Sequence, residues 1–169
     1  MSYALDQPDD VRSLILMAPS VLRPGKYPQW LRKFAQSKFS EWVLELGVSA
    51  SRVMLQRQMR AAFYDPAPFD TSLWDRRRRD YENARASAAV RRASALHDIR
   101  QDLRNIRQES CIIWGRQDPV LEPADAMRLN ELMPQSRTQL HLLPDCGHIP
   151  HIEKEKEVIS IVTQFLVEQ

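Results

Sequence analysis

Glycine is scarce in this chain, and the places where it occurs exclude one common catalytic turn. The 169 residues contain four glycines, at positions 25, 47, 115 and 147, and no two of them flank a serine. The sequence therefore has no G-x-S-x-G turn, in which two small residues leave a nucleophilic serine exposed between a strand and a helix. Ser2 is a poor substitute, because neither a strand nor a glycine precedes it.

Cysteine and long apolar runs are also rare. Two cysteines, Cys111 and Cys146, are too few for a disulfide scaffold and favour reduced thiols in a cytosolic setting. No apolar run approaches the roughly 20 residues of a membrane-spanning helix. The amino end shows neither the basic region nor the cleavage site of a signal peptide. We therefore expect a cytoplasmic protein that has no membrane partner.

Neither sign of charge dominates the chain. The 24 basic and 22 acidic residues give a formal net charge of +2, which does not imply a nucleic-acid partner. The most basic run, Arg76 to Arg79, suggests a phosphate-binding patch, but Asp75, Asp80 and Glu82 surround it. Opposite charges three or four residues apart stabilise a solvated helix surface. We interpret the run in that way and expect no nucleic-acid partner.

Three short apolar runs predict the strands of a parallel sheet. Ser13 to Met17 reads as a fully buried strand, and Cys111 to Trp114 and Thr138 to Leu142 read as two more. Asp118 follows the second of these runs, and His148 follows the third. Because the loops after the carboxyl ends of parallel strands line one crevice, we expect these two side chains to face the same cleft.

The residues of these two loops resemble a known family. Trp114-Gly115-Arg116-Gln117-Asp118 resembles the acid turn of α/β-hydrolases, and Asp145-Cys146-Gly147-His148 resembles their histidine loop. The resemblance implies an α/β fold, namely the C-terminal part of an α/β-hydrolase, with parallel strands and an inserted α-helical cap. It also implies that His148 is the general base and that Asp118 orients its ring.

Other acids near the two loops are alternatives to Asp118. Asp145 lies only three residues before His148, and at that short separation its carboxylate is less suited to reach Nδ1 of the histidine. Glu122 lies near the start of a helix predicted from about residue 123 to residue 132, where it would favour the positive end of the helix dipole. Asp125 lies further along this helix, and we expect it to face solvent.

A metal site would be a different interpretation of the same loop. Cys146, His148 and His151, with His141 as a fourth ligand, have the right chemistry for zinc. The spacing Cys-x-His-x-x-His matches none of the usual paired zinc-binding elements. Because the loop explains His148 without a metal, we expect no metal and no other cofactor.

The nucleophile is the part of the family's machinery that these residues do not supply. In α/β-hydrolases the nucleophile precedes the acid and the histidine in the chain. Residues 1–20 resemble the end of the helix after the nucleophile and the next strand, so we expect a nucleophilic serine or aspartate, and the oxyanion hole, to lie before Met1. Such a chain should be inactive alone and marginally stable. It should pair with an N-terminal fragment, or with itself, through the exposed edge of Ser13 to Met17.

The resemblance divides the chain into a partial hydrolase core, residues 1–20 and 109–169, and a helical cap, residues 21–108. Apolar residues at helical spacing predict helices at about 29–46, 49–63, 72–93, 97–106 and 152–167, the last being the closing helix of the core. Trp30, Phe34 and Trp42 of the cap, together with Ile149, could line an apolar pocket for substrate. Packing between cap helices would explain the same aromatic residues without a substrate.

Ile149 also bears on the choice of substrate. Many α/β-hydrolases that cleave carbon–carbon bonds in ring-cleavage products carry an aromatic residue directly after the histidine, and here that residue is Ile149. We therefore favour a small hydrophobic ester or related carbonyl compound, hydrolysed through a Ser-His-Asp triad. Carbon–carbon bond hydrolysis and a non-catalytic binding or assembly module are the alternatives.

Overall fold

The computed structural model of this protein describes residues 1–22, 57, 60–67 and 98–169. The chain forms two compact units, one of Met1–Leu22, Ala61–Pro66 and Ile99–Gln169, and the other of Arg23–Arg60 and Ala67–Asp98. The elements below belong to the first unit. The helices predicted for residues 29–46 and 72–93, and most of the one predicted for 49–63, lie outside the described residues. The division into core and cap stays a prediction.

The first unit is built on a parallel sheet of three strands. Strand β1 is Ser13–Met17, β2 is Glu109–Gly115 and β3 is Thr138–Leu143. Their order is β1-β2-β3, and both pairs are parallel. The predicted parallel strands are confirmed. Strand β2 begins two residues earlier than the apolar run indicates, because Glu109 still pairs with Ser13 of β1.

Strand β2 is the centre of the sheet and is buried on both faces. Ile112 and Trp114 face one hydrophobic cluster, whereas Cys111 and Ile113 face another. Successive side chains of a strand point to opposite faces, so a strand covered on both sides reads as an unbroken apolar run. The first cluster includes Leu16 of β1, which pairs with Ile112. This burial fixes the carboxyl end of β2, where the acid loop begins.

Besides the strands, the described part of this unit contains four helices and two 3-10 turns with defined bounds, and Ala61 is also helical. Helix α1 is Ser2–Asp6, α2 is Ala124–Leu132, α3 is Pro150–Glu153 and α4 is Glu155–Val167, and the 3-10 turns are Pro8–Asp10 and Leu103–Asn105. Within the described ranges, no helix combines the length and the apolar character needed to cross a membrane. Val158 and Phe165 of α4 cover the second hydrophobic cluster.

Two of the predicted helices differ from what the structure shows. The helix predicted for residues 97–106 is wrong, because the described part of that stretch contains one 3-10 turn and Ile106 is already extended toward β2. Ile99, Leu103 and Ile106 are buried in the first cluster, and their spacing imitates a helical stripe. The closing helix begins earlier than predicted and is interrupted at Lys154, which separates α3 from α4.

Candidate active site

The acid loop and the histidine loop lie side by side at the carboxyl ends of β2 and β3. The two strands are adjacent and parallel, so the chain leaves both of them at the same edge of the sheet. Backbone hydrogen bonds then join the loops. The N–H of Arg116 donates to the carbonyl of Leu143 at 2.9 Å, and that of Gln117 donates to the carbonyl of Cys146 at 3.1 Å. Backbone hydrogen bonds therefore hold the two loops together without any contribution from the side chains of the site.

Two glycines make this close approach possible. A Cβ atom on Gly115 would lie 2.1 Å from the carbonyl oxygen of Gly147, which is far inside van der Waals contact. A Cβ atom on Gly147 would lie 2.6 Å from both the carbonyl oxygen of Ala62 and the nitrogen of Tyr64. The chain turns into the histidine loop through Asp145, whose φ of 50° lies in the left-handed region that aspartate tolerates better than most residues.

Asp118 and His148 form a hydrogen-bonded pair within these loops. His148 Nδ1 lies 2.9 Å from Asp118 Oδ2, and the Asp118 side chain is fully buried while that of His148 is 28% exposed. The other carboxylate oxygen, Oδ1, accepts the N–H groups of Val120 and Leu121 at 2.8 and 2.9 Å. Both oxygens of the buried acid therefore have partners.

The pairing also sets the tautomer of the imidazole. An ionised carboxylate can only accept hydrogen bonds, so the hydrogen of a neutral His148 belongs on Nδ1. The lone pair is then on Nε2. This arrangement can take a proton from a hydroxyl group placed beside Nε2, and the buried carboxylate would stabilise the resulting imidazolium. The structure thus brings together the two residues predicted as acid and base, and their catalytic roles stay predictions.

The backbone of the histidine loop is held by a residue that sequence reasoning missed. Glu153, in the last turn of α3, accepts the N–H of Gly147 at 3.0 Å and that of Ile149 at 3.2 Å. It also accepts the N–H of Tyr64 at 2.8 Å. In the sequence, Glu153 begins a mixed run of acidic and basic residues, and nothing in that run distinguishes it from its neighbours.

The alternative acids take other positions. Asp145 and Glu122 are exposed. Asp125 was expected to face solvent, and this is wrong, because the residue is only 4% exposed and its carboxylate accepts a hydrogen bond from Arg128 at 2.9 Å. The two residues lie three positions apart on α2 and form an ion pair there.

The two cysteines do not offer a nucleophile in place of the missing serine. Cys111 and Cys146 are free and buried. Burial raises the pKa of Cys111 to about 11. Burial, with a smaller contribution from the negative charge of Glu153, raises the pKa of Cys146 to about 12. Since the thiolate is the reactive form, both groups are inert at neutral pH. Among the residues that the structure describes, no three His, Cys, Asp or Glu side chains converge as metal ligands would.

One of the four predicted substrate-lining residues belongs to the described part of the chain. Trp30, Phe34 and Trp42 lie outside the described residues. Ile149 is half-buried directly after His148, and its N–H is the one that donates to Glu153. The prediction that these four residues contact substrate stays a prediction.

Comparison with known proteins identifies the family. The sequence model of the alpha/beta hydrolase fold matches residues 1–155. The chain is 42% identical over 72 residues to 2-hydroxy-6-oxo-2,4-heptadienoate hydrolase of Pseudomonas putida, a match that covers 43% of this chain and 25% of that protein. It is 26% identical over 170 residues to monoacylglycerol lipase ABHD6 of Bos taurus, a match that covers 97% of this chain and 50% of that protein. The chain thus spans half or less of these two relatives.

The fold itself is shared with solved structures. A thermophilic esterase from Thermogutta terrifontis superposes with a TM-score of 0.73 at 19% identity, over 99% of this chain and 60% of that one. The resemblance drawn from the acid turn and the histidine loop is confirmed by the family match. With its parallel strands and its two loops at one sheet edge, this chain belongs to the α/β-hydrolase fold family.

Proposed function

We propose that Asp118 and His148 are the acid and the base of a hydrolase that acts on a carbonyl carbon. The observation that carries this proposal is the 2.9 Å contact between His148 Nδ1 and a fully buried Asp118 carboxylate, on an imidazole that is still partly exposed. A purely structural role for the acid would not require a histidine partner, and a histidine that served only in packing would not need to stay 28% exposed. Together they match the orienting acid and the proton carrier of acyl transfer.

The proposed reaction needs one hydroxyl or carboxylate nucleophile in addition to this pair. With a serine, Nε2 of His148 takes the hydroxyl proton as the oxygen attacks the carbonyl carbon. The proton then passes to the leaving group as its bond to that carbon breaks, which leaves an acyl-enzyme. Water repeats the cycle, giving one proton to His148 and its hydroxide to the acyl carbon, and the serine recovers its proton. Asp118 stays ionised throughout.

The nucleophile would come from a segment that adds to the free edge of β1. Among the described strands, β1 pairs with β2 alone and so stands at one edge of the sheet. Its Ile15 is 36% exposed, which is unusual for a strand that reads as a core strand. An exposed strand edge offers unpaired N–H and C=O groups to an added strand. We propose that this edge receives an N-terminal hydrolase segment that carries the nucleophile.

Two classes of substrate are supported by different relatives. The monoacylglycerol lipase supports a small hydrophobic ester, which is also favoured by Ile149 in the position directly after the histidine. The 42% identity to a 2-hydroxy-6-oxo-2,4-heptadienoate hydrolase supports the second candidate, hydrolysis of a carbon–carbon bond next to a ketone. Both reactions begin with attack on a carbonyl carbon, so one acid–base pair suits either.

The test is to assay the chain, alone and mixed with a separately expressed α/β-hydrolase segment that carries a G-x-S-x-G turn. p-Nitrophenyl esters report ester cleavage, and a vinylogous 1,5-diketone reports carbon–carbon cleavage. We expect no turnover by the chain alone and measurable turnover by the mixture. His148→Ala should lower the activity of the mixture by at least about 10³-fold, whereas His151→Ala, a histidine three residues away, should stay within about twofold.

Two outcomes would contradict the proposal. Activity that survives the loss of His148 would show that the pair is not catalytic. A stable complex with the segment that turns over neither substrate class would favour the alternative, a binding or assembly module that uses the free β1 edge without chemistry.

A further inference from the structure

We propose that Glu153 is a positioning residue that holds His148 in the orientation its bond to Asp118 requires. The inference rests on the proposed function for its catalytic meaning, but the contacts that carry it are independent of any reaction. Glu153 Oε1 accepts the N–H groups of Gly147 and Ile149, the residues directly before and after His148. The same carboxylate therefore holds the backbone before and after His148.

The N–H of His148 itself has a different partner. It donates to the carbonyl oxygen of Ala62 at 2.8 Å. Glu153 Oε2 accepts the N–H of Tyr64, two residues further along that segment, at 2.8 Å. Three consecutive N–H groups of the histidine loop are thus fixed, and the segment that receives the middle one is fixed by the same carboxylate. The loop cannot shift without breaking several of these bonds together.

The position of Glu153 follows from the short helix after the histidine. Helix α3 is a single turn that starts at the buried Pro150, directly after the loop, so the last residue of the turn comes back over the loop. A carboxylate there can receive several N–H donors at once, because each of its oxygens has two lone pairs. A shift of the loop by about 1 Å would lengthen the bond between Nδ1 and Asp118, and displacements of this size are costly in catalysis.

The experiment compares Glu153→Ala and Glu153→Gln with Glu157→Ala, an exposed residue of α4 that serves as the charge-matched control. Nitrogen-15 NMR of the imidazole reports the tautomer of His148 without any need for activity. We expect the Nδ1–H tautomer in the wild type and in Glu157→Ala. In Glu153→Ala we expect a shift toward the Nε2–H tautomer, and Glu153→Gln, which keeps one accepting oxygen, should lie between them. Wild-type His148 signals in folded Glu153→Ala and Glu153→Gln would overturn the proposal.

Hydrogen exchange of the wild-type chain provides a test that does not depend on the folding of any variant. The amides of Gly147, Ile149 and Tyr64 should exchange at similar rates and at least on the order of tenfold more slowly than exposed loop amides. Fast or unrelated exchange at these three positions would also overturn the proposal.

Activity then separates this inference from the proposed function. In an active mixture, Glu153→Ala should lower kcat by roughly 10- to 100-fold and leave KM within about twofold. If no mixture is active but the tautomer and the exchange behave as expected, the proposed function fails and the positioning of His148 by Glu153 stands. An unchanged kcat in the variant would contradict its catalytic meaning.

Discussion

Asp118 uses one carboxylate oxygen to hold its own loop and the other to contact His148, and this division makes it suitable for orienting a histidine. Oδ1 accepts two N–H groups of its own loop, from Val120 and Leu121, which fixes the carboxylate. Oδ2 is then left pointing at His148 Nδ1. Because the group is fully buried, water does not compete for either oxygen. The local turn supplies the rigidity, and the neighbouring loop supplies the imidazole.

Asp118→Asn tests whether the carboxylate sets the tautomer. The amide oxygen should keep the bonds to Val120 and Leu121, which places the amide N–H₂ against Nδ1 and moves the histidine hydrogen to Nε2. Nε2 can then no longer take a proton, so an active mixture should lose on the order of 10⁴-fold in kcat. Imidazole nitrogen NMR should show the changed tautomer. Asp125→Asn, a buried acid beside Arg128, is the matched control, and an unchanged His148 spectrum in Asp118→Asn would contradict the assignment.

The raised pKa values of Cys111 and Cys146 predict a loss of stability at high pH. Both thiols ordinarily titrate near 9.0, and burial raises their pKa values in the folded chain to about 11 and about 12. At pH values between about 9 and about 11, both thiols are ionised in the unfolded chain but still protonated in the folded chain. The free energy of unfolding therefore falls as the pH rises above about 9. Urea unfolding at several pH values should show this slope, and a Cys111→Ala/Cys146→Ala variant should show a flatter one. Equal slopes would contradict the prediction.

At the scale of elements, the site depends on how closely two loops and one short segment approach each other. Gly115 ends β2, and Gly147 lies in the histidine loop. At each of these glycines, backbone atoms of another segment occupy the space that a side chain would fill. Helix α3 continues directly from the histidine loop, and its Glu153 joins that loop to residues 61–66. Each element is short, so few positions can change without moving His148.

Gly115→Ala should displace the histidine loop. Its Cβ would lie 2.1 and 2.3 Å from the backbone oxygens of Gly147 and Cys146, and backbone atoms cannot rotate away as a side chain can. We expect a loss of about 1–3 kcal/mol in the free energy of unfolding and shifted His148 NMR signals. Ser160→Ala, on the exposed side of α4, should change stability by less than about 0.5 kcal/mol. A folded Gly115→Ala with wild-type stability would show that the loops do not meet as described.

At the scale of the whole molecule, β1 is an edge strand of the sheet among the strands that the structure describes. The match to one relative covers 97% of this chain but only 50% of the length of that relative. Among the described strands, β1 pairs with β2 alone. Ile15 of β1 and Tyr3 of α1 are exposed large side chains. A sheet with few strands buries little surface for each residue it orders, so its folding free energy is small.

The chain alone should therefore be marginally stable. We expect a broad thermal transition of the isolated chain not far above room temperature. An N-terminal hydrolase segment should raise the transition temperature in proportion to the logarithm of its concentration, because binding to the folded form shifts the equilibrium. Size-exclusion chromatography with light scattering distinguishes this pairing from self-association. A cooperative transition of the isolated chain at high temperature would contradict the prediction.

Much of this fold could be predicted from the sequence because the signals are local. The strand Ser13–Met17 was predicted with its observed bounds, since an apolar run between turn residues marks a buried strand. Asp118 and His148 could be predicted to meet because parallel neighbouring strands end at one edge. The helix predicted before β2 was wrong, because Ile99, Leu103 and Ile106 are buried in the core at a spacing that a helical stripe would also have.

The sequence by itself determined which strands form, which residues follow them and which family the chain resembles. The tertiary structure alone decided that Glu153 reaches across to Tyr64, that Asp125 is buried beside Arg128, and that Gly115 and Gly147 are required by the approach of neighbouring backbone. The physical reason is the separation along the sequence over which each interaction acts. Apolar periodicity and turn chemistry act within a few residues. The contacts of Glu153 with Tyr64 and of Gly115 with Gly147 join segments distant in sequence, and the burial of Asp125 depends on what packs around α2, so all three exist only once the chain has folded.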